Sequence, residues 1–196
     1  IINEILYEPG GNQVEFVELF NRSDRPVDLT NIRLSDDRRN PVVLRSGHFL
    51  LPSGTFAVIS VDTSAFEDLP AGVLTFQTDS WPPLNNGGDT VILYEATTVI
   101  DSLAYEAGWS TFARSLERID PRGPSSAPTN WAPSTSPTGS TPGHRNSVYA
   151  PDTRPPELIL AEQTAARTIT LHFSEPLAHA VDRNDINCDR PLLITN

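Results

Sequence analysis

Short apolar stretches separated by polar turns run through the first 120 positions. Segments 1–7 (IINEILY), 14–20 (VEFVELF), 55–61 (TFAVISV), 90–95 (TVILYE) and 99–105 (VIDSLAY) are rich in β-branched and aromatic side chains. Such residues suit a pleated, half-buried surface. Between them lie EPGGNQ, NRSDRP, LPSG and LNNGGD, whose residues preset a turn or tolerate positive φ. No long window repeats apolar residues at the 3.6-residue helical period. Short strands punctuated in this way predict an all-β sandwich.

The pattern changes after residue 120. Residues 121–148 hold six Pro and three Gly among many Ser and Thr, a composition shared with flexible linkers. Trp131 stands inside this tract and points to a different outcome, an extended segment pinned to the sandwich by a large apolar ring. Residues 149–156 (YAPDTRPP) are the better linker, because consecutive prolines hold an extended spacer. From 157 onward LILAE, RTITLHFSEPL and RPLLIT resume β-type alternation. Some 40 residues are too few for a sandwich of about 100 residues, so residues 157–196 are expected to form a partial module that another segment completes.

Charge and composition narrow the function. The 196 residues carry 25 acidic and 14 basic side chains, a net charge of −11, and all the basic ones are Arg. Nucleic-acid binding draws on a basic surface, so nucleic acid is not the expected partner. No stretch approaches the roughly 20 apolar residues of a membrane-spanning helix. No opening of the signal-peptide type is visible, although a chain starting at Ile1 can be processed or partial. The single cysteine, Cys188, rules out a disulfide within this segment and thiolate zinc sites of the multi-Cys kind.

The ordered motifs INEILY, EFVELFNRSDRPVDLTNIRLSD, LPSGTFAVIS, LNNGGDTVILY, VIDSLAY, SLERIDP, NWAPS and GSTPGHRNS together resemble the lamin-tail domain family in its bacterial, secreted branch. The resemblance covers residues 1 to about 148. It implies an immunoglobulin-like β-sandwich without catalytic residues, found as an accessory module of surface and secreted proteins, some beside nucleases or other hydrolases. The segment PPELILAEQTAARTITLHFSEPL is similar to the opening of bacterial Ig-like modules. The expected function is therefore a non-catalytic extracellular scaffold or assembly module, with other protein chains as partners, for example by addition of a strand to an exposed sheet edge. The alternative is an accessory domain that positions substrate for a secreted hydrolase or nuclease.

Candidate chemistry is sparse. Side chains alternate along a strand, so Glu15 and Glu18 should point to opposite faces. A hairpin about PGGN with Glu8 opposite Gln13 pairs Leu6 with Glu15, Glu4 with Val17 and Ile2 with Leu19. Glu4 and Glu15 then lie diagonally on one face, within reach of long side chains. Such a pair could hold a cation or share a proton; the favoured expectation is neutralisation by backbone N–H groups or by an Arg, with Arg118 available. A second candidate for calcium is DRNDINCD, with Asp185, Asn187 and Asp189 at alternating positions, although it lacks the Gly and the terminal Glu of an EF-hand loop. No cofactor is expected otherwise. LNNGGDTVILY is read as a turn entering a strand, since a phosphate loop leads into a helix. The four His share no metal-binding spacing, and no GxSxG elbow is present. Trp81, Trp109 and Trp131 are read as core or loop anchors, with a sugar-stacking platform as the alternative.

Overall fold

The computed structural model describes residues 1–36, 41–44, 48–66, 69–78, 81, 83–166, 168–175 and 177. The chain divides into two compact units, Ile1–Pro151 and Asp152–Asn196.

The regular elements of the first unit are strands, joined by long loops and, among the described residues, two short 3-10 turns. β1 (Ile2–Leu6), β2 (Phe16–Phe20), β3 (Val27–Asp28), β4 (Ile32–Ser35), β5 (Val42–Val43), β6 (Leu50–Leu51) and β7 (Phe56–Ser60) come first. β8 (Leu74–Gln77), β9 (Gly88–Glu95), β10 (Thr98–Glu106), β11 (Leu116–Arg118) and β12 (Trp131–Pro133) follow. One sheet has six strands in the order β12-β11-β1-β2-β7-β8, and a second has four in the order β10-β9-β4-β5. Every pairing is antiparallel except β7 with β8. A parallel neighbour needs a crossover, and residues 61–73, with a 3-10 turn at Thr63–Phe66, supply it. β3 and β6 make a small separate ribbon.

Alternation fills the space between the sheets. Ile2, Ile5, Val17, Leu19, Ala57, Ile59, Phe76 and Leu116 of the six-stranded sheet join Ile32, Leu34, Val91, Leu93, Leu103 and Tyr105 of the four-stranded sheet in one buried cluster. Tyr7 stacks on Tyr105 with ring centroids 4.5 Å apart. The Tyr7 hydroxyl accepts a hydrogen bond from the Ser110 backbone at 2.8 Å, which satisfies the polar tip of a buried ring. Trp131 belongs to the same cluster and donates its indole N–H to Ser125 O at 2.9 Å.

The Pro-, Ser- and Thr-rich tract is part of this body. β12 continues the sheet beyond β11, and residues 134–148, the strap, run back over the outer face of the six-stranded sheet. Ser134 N donates to Ser115 O at 2.8 Å, Ser115 N donates to Gly139 O at 2.9 Å and Ala150 N donates to Ile119 O at 3.0 Å. Under the strap and the 61–73 crossover lies a smaller outer core of Leu6, Phe16 and Val58, packed against Phe66, Leu69 and Val73.

The second unit shows a β-hairpin of β13 (Leu158–Ala165) and β14 (Thr168–Phe173). Its pairing places Ala161 opposite Leu171 and Gln163 opposite Ile169, with Leu160 opposite His172 and Glu162 opposite Thr170. All eight residues of β13 are exposed.

Candidate functional site: a buried carboxylate row and a free sheet edge

The outer face of the six-stranded sheet carries the least expected feature. In the registers of β11, β1 and β2, Glu4 lies opposite Glu117 on one side and opposite Glu18 on the other. Three glutamates therefore stand in a row across three adjacent strands, and all three are fully buried. Like charges directly opposite one another destabilise a sheet, and a buried carboxylate is costly unless its oxygens are hydrogen-bonded.

The strap supplies those hydrogen bonds. Thr141 N donates to Glu4 Oε1 at 2.8 Å. Ser147 Oγ and Val148 N donate to Glu117 Oε2 at 2.8 and 3.1 Å. Gly143 N donates to Glu18 Oε2 at 2.5 Å, and Asn3 Nδ2 donates to Glu18 Oε1 at 2.8 Å. Asn3 gives its other amide proton to Asn146 Oδ1, and Asn146 Nδ2 donates to Asn3 O and to Arg118 O. The Thr141 hydroxyl lies 2.9 Å from Glu4 Oε2 and 3.0 Å from Glu117 Oε1. Gly143 adopts φ 76°, where a side chain is strained, and a Cβ there would sit 3.0 Å from Leu69. The strap thus comes as close to the crossover as a chain without side chain permits.

Burial pushes the Glu4 carboxyl up to about 7, with hydrogen bonds from Ser115 and Thr141 opposing and the Glu117 charge reinforcing the rise. Burial, and then the Glu4 charge, hold Glu18 well above the usual carboxylate range. Among the described residues, none of the hydrogen-bond donors to the three carboxyls carries a positive charge.

The expected meeting of Glu4 with Glu15 does not occur. Ile2 does pair with Leu19, but the register shifts between Ile2 and Glu4. This β-bulge at Asn3 brings Glu4 opposite Glu18 instead of Val17. Glu15 precedes β2, and its carboxylate instead accepts the Trp81 indole N–H at 2.9 Å and Leu84 N at 3.2 Å. Nor is Arg118 the partner of either glutamate. It is buried, donates from Nη2 to Asp101 Oδ2 at 3.0 Å and lies over the Trp131 ring at 4.9 Å from its centroid. Alternation along β11 explains this: Glu117 faces outward under the strap, so its neighbour faces the interior. Asp101 also accepts from Ile2 N at 2.8 Å, Ser102 N at 3.0 Å and Ser125 Oγ at 2.5 Å, tying β10 to β1 and to the 121–130 loop.

Asp185, Asn187 and Asp189 lie outside the described residues. Among the described residues, no group of three or more His, Cys, Asp or Glu side chains is arranged to hold a metal ion. His172, exposed on β14, contacts Glu162 at 2.9 Å. At LNNGGD, Gly88 N donates to Asn85 O at 3.1 Å and Gly88, at φ 113°, opens strand β9.

Two surface features could receive a partner. Within the sandwich β10 is by far the longest edge strand, nine residues against two to four for the other edges of the six- and four-stranded sheets. Among the described residues, no backbone group of Thr98–Tyr105 on the side away from β9 makes a backbone hydrogen bond. Val99 and Ile100 are about half exposed there. Ile100 also borders an apolar cleft of about 220 Å³ lined by Leu19, Phe20, Val27 and Leu29. The second feature is an open trough of about 680 Å³ between the 3-10 turn and the strap, lined by Phe66, Leu69, Ser136, Thr138, Ser140 and His144. No helix among the described residues is long and apolar enough to cross a membrane.

Two packed β-sheets with the core between them define an immunoglobulin-like β-sandwich. Comparison with protein families agrees: the lamin tail domain model matches residues 1–107, and the chain belongs to the lamin tail domain family. No curated protein and no solved structure matches it significantly. The matched span stops before β11, β12 and the strap, although β11 pairs directly with β1.

Proposed function

We propose that this chain is a non-catalytic interaction module of a larger extracellular or cell-surface bacterial protein, and that it engages other protein chains by strand addition at β10. The free edge of β10 is the observation that carries this reading. Long unpaired edges are templates for another strand and are normally shortened, covered or charged. Here the edge of a nine-residue strand offers backbone groups on either side of Ser102, whose N–H is taken by the Asp101 carboxylate, and the neighbouring apolar cleft can take a side chain of the incoming strand. The Ig-like fold supports an interaction role, and the net charge of −11 favours proteins over nucleic acid as partners. The secreted, bacterial setting rests on the ordered motifs alone.

A photo-crosslinking amino acid at Val99, compared with one at exposed Asp24, tests it in cells producing the full-length protein. The expected result is a protein adduct in the extracellular or envelope fraction from position 99 only. Equal adducts from both positions would overturn the docking edge, and recovery of the protein from the cytosol alone would overturn the setting.

The hydroxyl-lined trough favours a second reading, an accessory domain that positions a polar substrate for a neighbouring hydrolase. Amide shifts at Thr138 and Ser140 on titration with neutral oligosaccharides would support it, and unchanged spectra would remove it.

A further inference from the structure

The proton inventory of the glutamate row does not close with three ionised carboxylates. The Thr141 hydroxyl has one proton and stands within hydrogen-bond distance of two carboxyl oxygens, Glu4 Oε2 and Glu117 Oε1. If it donates to Glu117, its contact with Glu4 is a hydrogen bond only when Glu4 Oε2 carries a proton and donates to Thr141. The reverse assignment puts that proton on Glu117. Either way one carboxyl proton completes the chain Glu4–Thr141–Glu117, and without it two oxygen lone pairs face each other beside two fully buried carboxyls.

We propose that the Glu117–Glu4–Glu18 row is a proton-dependent clasp, which locks the 134–148 strap onto the sandwich while it retains this proton and loosens it when the proton is lost. The strap is the element that responds, because its backbone and hydroxyl groups provide most of the donors to the row. The ionisable groups around the row are few. β1, β2 and β11 contribute the three glutamates themselves. Arg118, next on β11, is turned away to Asp101. On the strap, exposed His144 contacts Pro142 O, and Arg145 lies over the Tyr149 ring. Asp62 of the crossover binds Ser64, and β7 brings Val58 and Ser60 to this face. No cation among these replaces the lost proton.

Loss of the proton leaves Glu4 ionised beside Glu117 and opposite Glu18, so repulsion and desolvation act together against the closed strap. The direction follows from burial: Glu4 titrates near 7 in place of an ordinary 4.5, so the clasp is closed in acid and weakens as pH rises through neutrality. Opening would uncover Leu6 and Phe16, which border Pro142 at the strap, and present an apolar patch that the closed form hides.

Amide hydrogen exchange on the full chain, corrected for intrinsic base catalysis, tests this. Protection at Thr141, Gly143 and Val148 should lie below that of Ile59 and Leu93 at both pH values, as for a strap that opens on its own, and should fall on the order of thirtyfold between pH 5.5 and 8.5. Glu4→Gln, whose amide can donate to Thr141 as the protonated acid does, should keep the strap protected at both pH values. In parallel, carboxyl carbon shifts of the unmodified chain should show a glutamate midpoint near 7. Strap protection equal to that of the inner strands, strap protection that does not change with pH, a Glu4→Gln variant that keeps the full drop, or ordinary midpoints for the glutamates would each overturn the clasp. The unmodified-chain measurements decide the matter should the variant not fold.

Discussion

The two faces of the six-stranded sheet solve opposite problems with the same strands. Toward the four-stranded sheet, the strands present Ile, Leu, Val and Phe, and the one strong charge, Arg118, meets a countercharge in Asp101. Toward the strap, the same strands present Leu6, Phe16 and Val58 beside three glutamates that meet only neutral donors. Residues 117 and 118 are neighbours in β11, and each sends its charge to a different face. An ion pair is insensitive to pH near neutrality. A carboxylate row held by amides and hydroxyls is not, because its stability depends on how many protons it retains. The inner face supplies the body's stability, and the outer face makes part of it conditional.

The largest effects should come from the inner face. Asp101→Ala removes the countercharge of a fully buried guanidinium and the acceptor for Ile2 N and Ser125 Oγ. Breaking one side of a buried pair costs about 3–5 kcal/mol, so urea unfolding of this variant should show a large drop in midpoint. Leu103→Ala empties a fully buried position in the centre of the inner core, for which about 2–5 kcal/mol is expected. Both losses should be the same at pH 5.5 and 8.5. A strong pH dependence in either would break the contrast between the faces.

The outer face should show the converse. Glu4 titrates near an ordinary 4.5 in the unfolded chain and near 7 in the fold. Between these values the fold holds a proton that the unfolded chain has released. The resulting stabilisation is complete below pH 4.5 and gone above 7, and at 1.36 kcal/mol per unit it amounts to roughly 3 kcal/mol. Glu18, also raised, acts in the same direction. Asp28 and Asp62, whose carboxyls are held below 3.8 first of all by neighbouring hydroxyls, act in the opposite direction in stronger acid. Thermal or urea unfolding should therefore be most resistant near pH 4–5 and decline toward 8, and Glu4→Gln should flatten that decline. Thr141→Val, which removes the bridging hydroxyl while keeping the backbone donor, should cost about 1 kcal/mol, measured at pH 5.

Much of the inner face was legible in the sequence. Period-two alternation in 1–7, 14–20, 55–61, 90–95 and 99–105 marked strands whose apolar residues now fill the core. The outer face was not, for two physical reasons. A bulge changes the register without changing composition; its trace was the odd spacing of Ile2 and Ile5, both of which face inward. The second reason is distance in the chain. Glu117 and the strap join Glu4 across more than 100 residues, and three-residue strands such as β11 leave little periodicity to read. Arg118 could be seen as a buried-charge partner from its place in SLERID, but only the register of β11 decides which carboxylate it meets.

The smallest effect is expected outside the sandwich, where the comparison can be sharpened most. β13 and β14 alternate as β1 and β2 do: Ala161, Ile169 and Leu171 fall on one side and Leu160, His172, Glu162 and Thr170 on the other, with Ile159 at a register shift. Yet Ile159 is 69% exposed and Leu158 53%, so the pattern that builds a core in the first unit buries little in the described part of the second. Stability comes from a second layer, and a two-stranded ribbon is marginal without one. Ile159→Thr keeps β-propensity and removes only exposed apolar surface. It should shift the main unfolding transition by less than about 0.5 kcal/mol, whereas Leu103→Ala, a substitution of similar size, should dominate it. Equal effects from the two would mean that the apolar side of the hairpin is covered in solution and stabilised much as the inner face of the sandwich is.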